Sequence, residues 1–388
     1  MYELSGVDKK NKSGGDQQER IEALSQKLFG KPVKEIKYLY VTNYIHKQLL
    51  DEDLTRTGLY QWINVFNGEV KYPRDVINYN DYDIVHINMA PQDVHLIYKV
   101  RQEIGDNSKT KLVVNNDFTS EMWASSYDFP HTLEAILKYP DMIFGTEYFQ
   151  VSALSELAHR KVYIIPHPAD VRRLKALTPL PKKPIISTIW RRYDRFAYVP
   201  SLVVRNHGLT TQLIGYDKEK DNRFFMTSTL YDYVLAGTNF FEFCDQLRES
   251  KIVYDPFTFH SYSRTTVDTA AMGVAVVGSD RTQSMKICYP YTCVDPYDVS
   301  RARQLIRRLL EDEDFYELVV KTAKEKVEFY NHQNSRERFL VALHDSIYGK
   351  EEKKEDIKKK TTISRGRGDD VLDLHANSIT RGKSKNEQ

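Results

Sequence analysis

The chain has 388 residues, 41% apolar and 28% charged, which at roughly 150 residues per domain means two soluble cores with tails. Its 56 lysines and arginines against 54 aspartates and glutamates leave a net charge of +2, which argues against a surface built throughout to hold nucleic acid. No apolar run approaches the roughly 18–20 residues of a membrane span, and Met1 to Gly15 lacks the apolar segment of a secretory signal.

The first 30 residues read as a polar extension. Strands follow at 36–42, 84–87, 111–114, 142–144 and 162–165, with helical patterns at 59–66, 92–104, 131–138 and 148–160. Val94, Ile97, Tyr98, Arg101 and Ile104 keep the three-and-four spacing of an amphipathic helix. Strand and helix in alternation, with continuously apolar strands, predict a parallel sheet covered on both faces over 31–177. Thr178-Pro-Leu-Pro-Lys-Lys-Pro184 has the composition of a stiff linker. A second alternating series fills 185–330. Its strands are at 185–189, 211–214, 233–235, 252–254 and 274–277, and its helices at 196–206, 240–249, 264–272, 299–310 and 313–330. A further helix, 335–348, lies in the segment 331–349. Residues 350–388 carry eleven basic and eight acidic residues with almost no apolar cluster, which predicts a disordered tail. The expected architecture is α/β, with two doubly wound parallel sheets facing a cleft.

Three cysteines, Cys244, Cys288 and Cys293, build no disulfide framework and have no zinc spacing, so a reducing, cytoplasmic compartment fits. No strand is followed by Gly-x-Gly-x-x-Gly or by Gly-x4-Gly-Lys-Ser/Thr, which counts against nicotinamide and P-loop chemistry. The stretch Tyr254 to Asp280 is the most informative. A strand ends at Tyr254, a loop bearing Thr258, Ser261 and Ser263 follows, and a helix opens at Arg264 and Thr265. Such a helix start offers unpaired N–H groups and a positive dipole end, a natural seat for a diphosphate.

Four segments in register carry a resemblance over roughly 36–345. Asp268-Thr-Ala-Ala-Met-Gly-Val-Ala-Val-Val277, with His260 eight positions before it, resembles the Glu-x7-Glu signature of the retaining family 4 glycosyltransferases of GT-B fold. Tyr82-Asp-Ile-Val-His-Ile87, Ile164-Ile-Pro-His-Pro-Ala-Asp170 and Thr292-Cys-Val-Asp-Pro-Tyr-Asp298 are similar to that family's other motifs. The resemblance implies a nucleotide sugar as co-substrate, no other cofactor, no metal, and transfer to a glycan, lipid or protein acceptor. It sets His260 and Asp268 at the donor sugar. It puts Arg191 and Arg195, with Arg192 as competitor, on the diphosphate beside Ser263, Arg264 and Thr265. It puts Asp117, in Asn115-Asn-Asp-Phe118, on the acceptor side as a base or orienting carboxylate. Both glutamates of the signature are replaced, so a non-catalytic relative is one alternative. A glucosyltransferase of modified DNA bases and an epimerase of the same fold are others. His86 and His167 read as packed or hinge residues. The arginines of 301–310 read either as a packed surface helix or as a contact with an anionic or membrane surface.

Overall fold

The computed structural model describes residues 14–42, 58, 60–89, 94–106, 108–116, 134–135, 137–158, 160–189, 198–216, 229–236 and 239–365. In the N-terminal half, six short strands form one parallel sheet in the order β2-β1-β3-β4-β5-β6. They are β1 (Tyr38–Val41), β2 (Glu69–Lys71), β3 (Ile84–Met89), β4 (Lys111–Asn116), β5 (Met142–Gly145) and β6 (Tyr163–Ile164). The helices are α1 (Gly14–Phe29), α2 (Gln61–Phe66), α3 (Val94–Ile104), α4 (Tyr148–Ala158) and α5 (Val171–Lys175). The C-terminal half repeats the plan with the order β12-β11-β10-β7-β8-β9. Its strands are β7 (Lys183–Ile189), β8 (Thr210–Tyr216), β9 (Tyr233–Ala236), β10 (Ser250–Asp255), β11 (Ala275–Ser279) and β12 (Cys293–Val294). Its helices are α6 (Tyr198–Val204), α7 (Phe240–Glu249), α8 (Arg264–Met272), α9 (Gln283–Cys288), α10 (Val299–Glu311) and α11 (Glu313–Lys326), and α12 (His332–Arg365) ends the described chain.

Both sheets reverse direction of growth once. In the first, β1 is flanked by β2 and β3; in the second, β7 is flanked by β8 and β10. Crevices that take ligands form at such points, beyond the carboxyl ends of the central strands. In the second sheet that point lies between β7 and β10, where Thr188 pairs with Tyr254.

The sequence reading needs four corrections. The first 30 residues are not simply a polar extension: Ile21, Ser25 and Leu28 form a buried stripe on α1, and Gln17 and Arg20 contact Glu337 of α12. The stripe is one residue wide and interrupted by a serine, so composition hides it. The linker is shorter than 178–184, because β7 already starts at Lys183. α5 precedes that linker, yet Val171 and Leu174 pack into the core of the second sheet. The backbone is helical to Arg365, past the residue 350 where disorder is expected, in a run rich in Lys and Glu, which are good helix formers. Strands β2 and β12 and helices α5 and α9 are too short to show a period.

The first part of α12, residues 332–347, lies on the first sheet. Phe339 is fully buried, with ring centroids 5.1 Å from Phe66 and 5.4 Å from Trp62. α10 uses its apolar face inside the second core, through Ala302, Leu305, Ile306 and Leu309. Arg303 donates to the carbonyls of Leu202 and Arg205 at the end of α6, and Arg308 lies 3.8 Å over the Phe315 ring. The packed reading of this helix therefore holds, and its apolar stripe is not available to a membrane. Among the described residues no helix is long and apolar enough to cross one.

Inside the first sheet a polar chain runs through the aromatic core. The Tyr38 hydroxyl bonds His86 Nδ1, His86 Nε2 lies 2.7 Å from Asn115 Oδ1, and Asn115 Nδ2 donates to Asn88 Oδ1 at 2.8 Å. The bonds order the protons: Tyr38 donates to Nδ1, and the neutral ring donates from Nε2. Burial, with His167 adding to it against the Asn115 bond, pushes the His86 pKa down to about 3. Unfolded, this imidazole takes its proton near pH 6.5. Below that pH the unfolded chain binds more protons, so stability falls as pH falls from about 6.5 towards 3. Urea unfolding at pH 5 should therefore give about 2 kcal/mol less from this group than at pH 7. A His86→Gln protein should have a flatter stability profile over that range; an unchanged slope would contradict the neutral buried state.

Candidate functional site

The site builds from β10 outward. Its last residue, Asp255, is 1% exposed, and Asp255 Oδ2 accepts from Ser263 Oγ at 2.5 Å and Thr266 Oγ1 at 3.1 Å. Ser263 caps α8, its oxygen accepting the Thr266 N–H at 3.4 Å. The carboxylate thus fixes both the cap and the first turn. The loop before it is pinned along its length. Ser261 bridges to Thr282, Arg281 Nη1 donates to the Thr258 carbonyl at 2.8 Å, and Ser284 Oγ donates to the Ser263 carbonyl at 3.0 Å. α8 ends at Gly273 with φ 70°, a left-handed turn that glycine adopts without strain. Lys324 lies against that glycine, where an added Cβ would sit 2.2 Å from its Cε. A hollow of about 780 Å³ lined by Lys175, Glu313, Tyr316 and Lys324 is at this far end of α8, away from the opening turn.

The N-terminal half reaches the opening turn of α8 at three places. A Cβ at Gly58, whose φ is +130°, would lie 2.8 Å from Arg264 Nε, so the chain passes directly over that guanidinium. Tyr262 Oη donates to the His167 carbonyl at 3.0 Å, and Trp62 Nε1 donates to His167 Nδ1 at 3.0 Å. His167 is thus a packed, buried residue joining α2 to the α8 loop, as His86 is packed inside the first sheet. The third contact is an aromatic stack: the ring of Phe149, in the first turn of α4, lies 4.7 Å from that of His260 at 20°.

The sequence-predicted residues divide. Ser263, Arg264 and Thr265 stand together at the opening of α8, with Ser263 and Thr265 buried and Arg264 half-buried. His260 is half-buried in the preceding loop, whereas Asp268, one turn into α8, is only 1% exposed. The two replacements for the paired glutamates therefore do not share one open surface. The Tyr262 hydroxyl beside this buried helix has its pKa raised by burial first, then by Tyr330 and by Asp268. Asp117, Arg191, Arg192 and Arg195 lie outside the described residues. They follow directly on the carboxyl ends of β4 and β7, at Asn116 and Ile189.

Sequence reasoning missed three contributors. Asp255 carries a signal, an acid ending an apolar strand before a hydroxyl-rich loop. Phe149 carries none, because its partner is 111 positions away in the chain. Thr188 lies at the reversal point with a buried Oγ1 that has no hydrogen-bond partner among the described residues.

No family model and no curated protein matches the chain. Solved structures do. Sucrose-phosphate synthase of Thermosynechococcus elongatus matches with a TM-score of 0.54 at 15% identity, over 69% of this chain and 74% of that one. HepE of Anabaena in complex with UDP-glucose matches with a TM-score of 0.58 at 12% identity, over 87% and 98%. A UDP-forming α,α-trehalose-phosphate synthase of Burkholderia xenovorans gives 0.53 at 11% identity, over 68% and 74%. Two parallel six-stranded sheets, reversed at β1 and β7 and bridged beside α8, make this chain a protein of the GT-B fold, the fold of these glycosyltransferases.

Proposed function

We propose that the chain is a glycosyltransferase that moves a sugar from a nucleotide-sugar donor to a glycan, lipid or protein acceptor. The observation that carries this reading is the reversal point between β7 and β10. Two segments follow those strand ends in the chain: the one with Arg191, Arg192 and Arg195, which lies outside the described residues, and the one that feeds the capped start of α8. Guanidinium forks together with first-turn N–H groups suit a departing diphosphate. They stabilise the charge that builds there as the glycosidic bond breaks, the chief electrostatic task in such a transfer. The arginines take the part a metal would otherwise play, so transfer is metal-independent, and retention of anomeric configuration follows the family resemblance. His260 contacts the donor sugar, Asp268 supports α8 from inside, and Asp117 orients or deprotonates the acceptor hydroxyl. HepE has been solved with UDP and glucose and with UDP-glucose, which makes UDP-glucose the first donor to try.

The test is turnover in a chelator. The protein should release UDP, or another nucleotide matched to its donor, in the presence of an acceptor pool, and the product should keep the donor's anomeric configuration. Release only on adding a divalent metal would overturn metal independence. Interconversion of the donor sugar without release would mark an epimerase. The burial of Asp268 and the histidine at 260 favour one second reading, a GT-B protein that binds donor or glycan without turnover; saturable binding with no release under any acceptor would establish it.

A further inference from the structure

Phe149 is half exposed, at 49%, and its neighbour Tyr148 is 38% exposed, so α4 opens with two aromatic rings at the ligand end of the first sheet. The backbone beneath them is fixed: Glu147, only 5% exposed, accepts the N–H of Phe149 at 2.7 Å and of Gln150 at 2.5 Å. That carboxylate closes the start of α4 to any anion, and it holds the Phe149 Cα in one place. One face of the ring covers His260 at 4.7 Å and 20°, a near-parallel stack between the two halves of the protein. The remaining area is open to solvent.

We infer that Phe149 is a positioning residue supplied by the N-terminal half: it fixes the plane of His260, and the two rings form one aromatic wall for the sugar ring of the donor. This rests on the donor reading given above. A stacked imidazole loses its rotation about χ2, so its nitrogens keep one direction towards a sugar hydroxyl. A pyranose carries an apolar C–H face that packs on such a wall, while its hydroxyls meet the polar edge of the histidine. The nucleotide is held elsewhere, by the arginines and α8. Phe149 therefore acts on the sugar's share of binding and leaves the nucleotide's share alone.

The experiment compares wild type with Phe149→Leu, which keeps apolar bulk without a ring, and Phe149→Tyr, which keeps the ring. The half-exposed position makes both variants compatible with folding. The imidazole C–H signals of His260, assigned with His260→Asn, should move downfield in Phe149→Leu as the ring current is lost, and stay in place in Phe149→Tyr. An unmoved signal in Phe149→Leu overturns the stack. Affinities are then measured for UDP and UDP-glucose, and for GDP with GDP-mannose and ADP with ADP-glucose. UDP or its counterpart should bind all three proteins equally. The preference for the sugar nucleotide over the bare nucleotide should fall about fivefold in Phe149→Leu and recover in Phe149→Tyr. A preserved preference in Phe149→Leu overturns the sugar wall while leaving the donor reading intact. Failure of wild type to bind any of the six overturns the donor reading itself, and the sugar wall with it, while the ring shift still reports the stack.

Discussion

A protein carrying Arg191→Ala and Arg195→Ala should bind its nucleotide sugar roughly a hundredfold to ten-thousandfold more weakly than wild type, with its ligand-free melting temperature unchanged. A hydrogen bond to a charged partner contributes about 1.5–3 kcal/mol. Two such groups on one diphosphate therefore amount to about 3–6 kcal/mol, and each 1.4 kcal/mol is about tenfold in affinity. Both residues follow β7 in the chain, between Ile189 and the start of α6 at Tyr198. Calorimetric titration reads the loss. Arg191→Lys and Arg195→Lys should recover part of it, since lysine keeps the charge but not the forked donors. Equal affinity in the alanine protein would move the diphosphate to another part of the crevice.

Phe339→Ala should be the most destabilising single substitution among those considered, at about 3–5 kcal/mol. The ring is fully buried, and Tyr38, Trp62, Phe66, His86 and Phe144 all lie within 6.4 Å of it by ring centroid. Removing it leaves a cavity under α12 that no neighbouring side chain can fill without leaving its own contacts. The polar chain from Tyr38 to Asn88 runs through the same aromatic cluster, so the cavity also admits water beside a neutral buried histidine. Chemical denaturation gives the magnitude, and Phe339→Leu should lose clearly less. A loss under about 1 kcal/mol would mean that α12 does not complete the first core.

Much of this fold is legible in the sequence for a simple reason. The apolar residues of strands such as Ile84–Met89 and Lys111–Asn116 are buried on both faces, so Ile84-Val85 and Leu112-Val113-Val114 read as short apolar runs between helices of clear period. Elements that escaped are those whose burial is narrow or whose length is under one period. α1 buries three residues, one of them a serine, and β12 has two residues. The boundary between the halves is blurred for a different reason. α5 comes before the proline-rich segment in the chain but packs with the second core, a tertiary fact that no local pattern records.

The site divides along the same line. The opening of α8 is local, a strand end, hydroxyls and a helix start within a dozen residues, and Ser263, Arg264 and Thr265 are found together there. What the sequence could not reveal is contact across the two halves: Gly58 over Arg264, Tyr262 on His167, and Phe149 on His260. Nor could it tell the half-buried His260 from the fully buried Asp268, because position in a motif does not fix exposure.

A nucleotide sugar bound at the reversal point between β7 and β10 should stabilise the folded protein. The most direct measurement is the melting temperature of the full chain, in a chelator, against UDP-, GDP-, ADP-, CMP- and dTDP-sugars at saturating concentration. One of them should raise it, by about 2.7 kcal/mol of added stability at a hundred times its Kd, and the rise should vanish in the Arg191→Ala/Arg195→Ala protein. No rise with any donor, or a rise that survives both substitutions, would contradict the account.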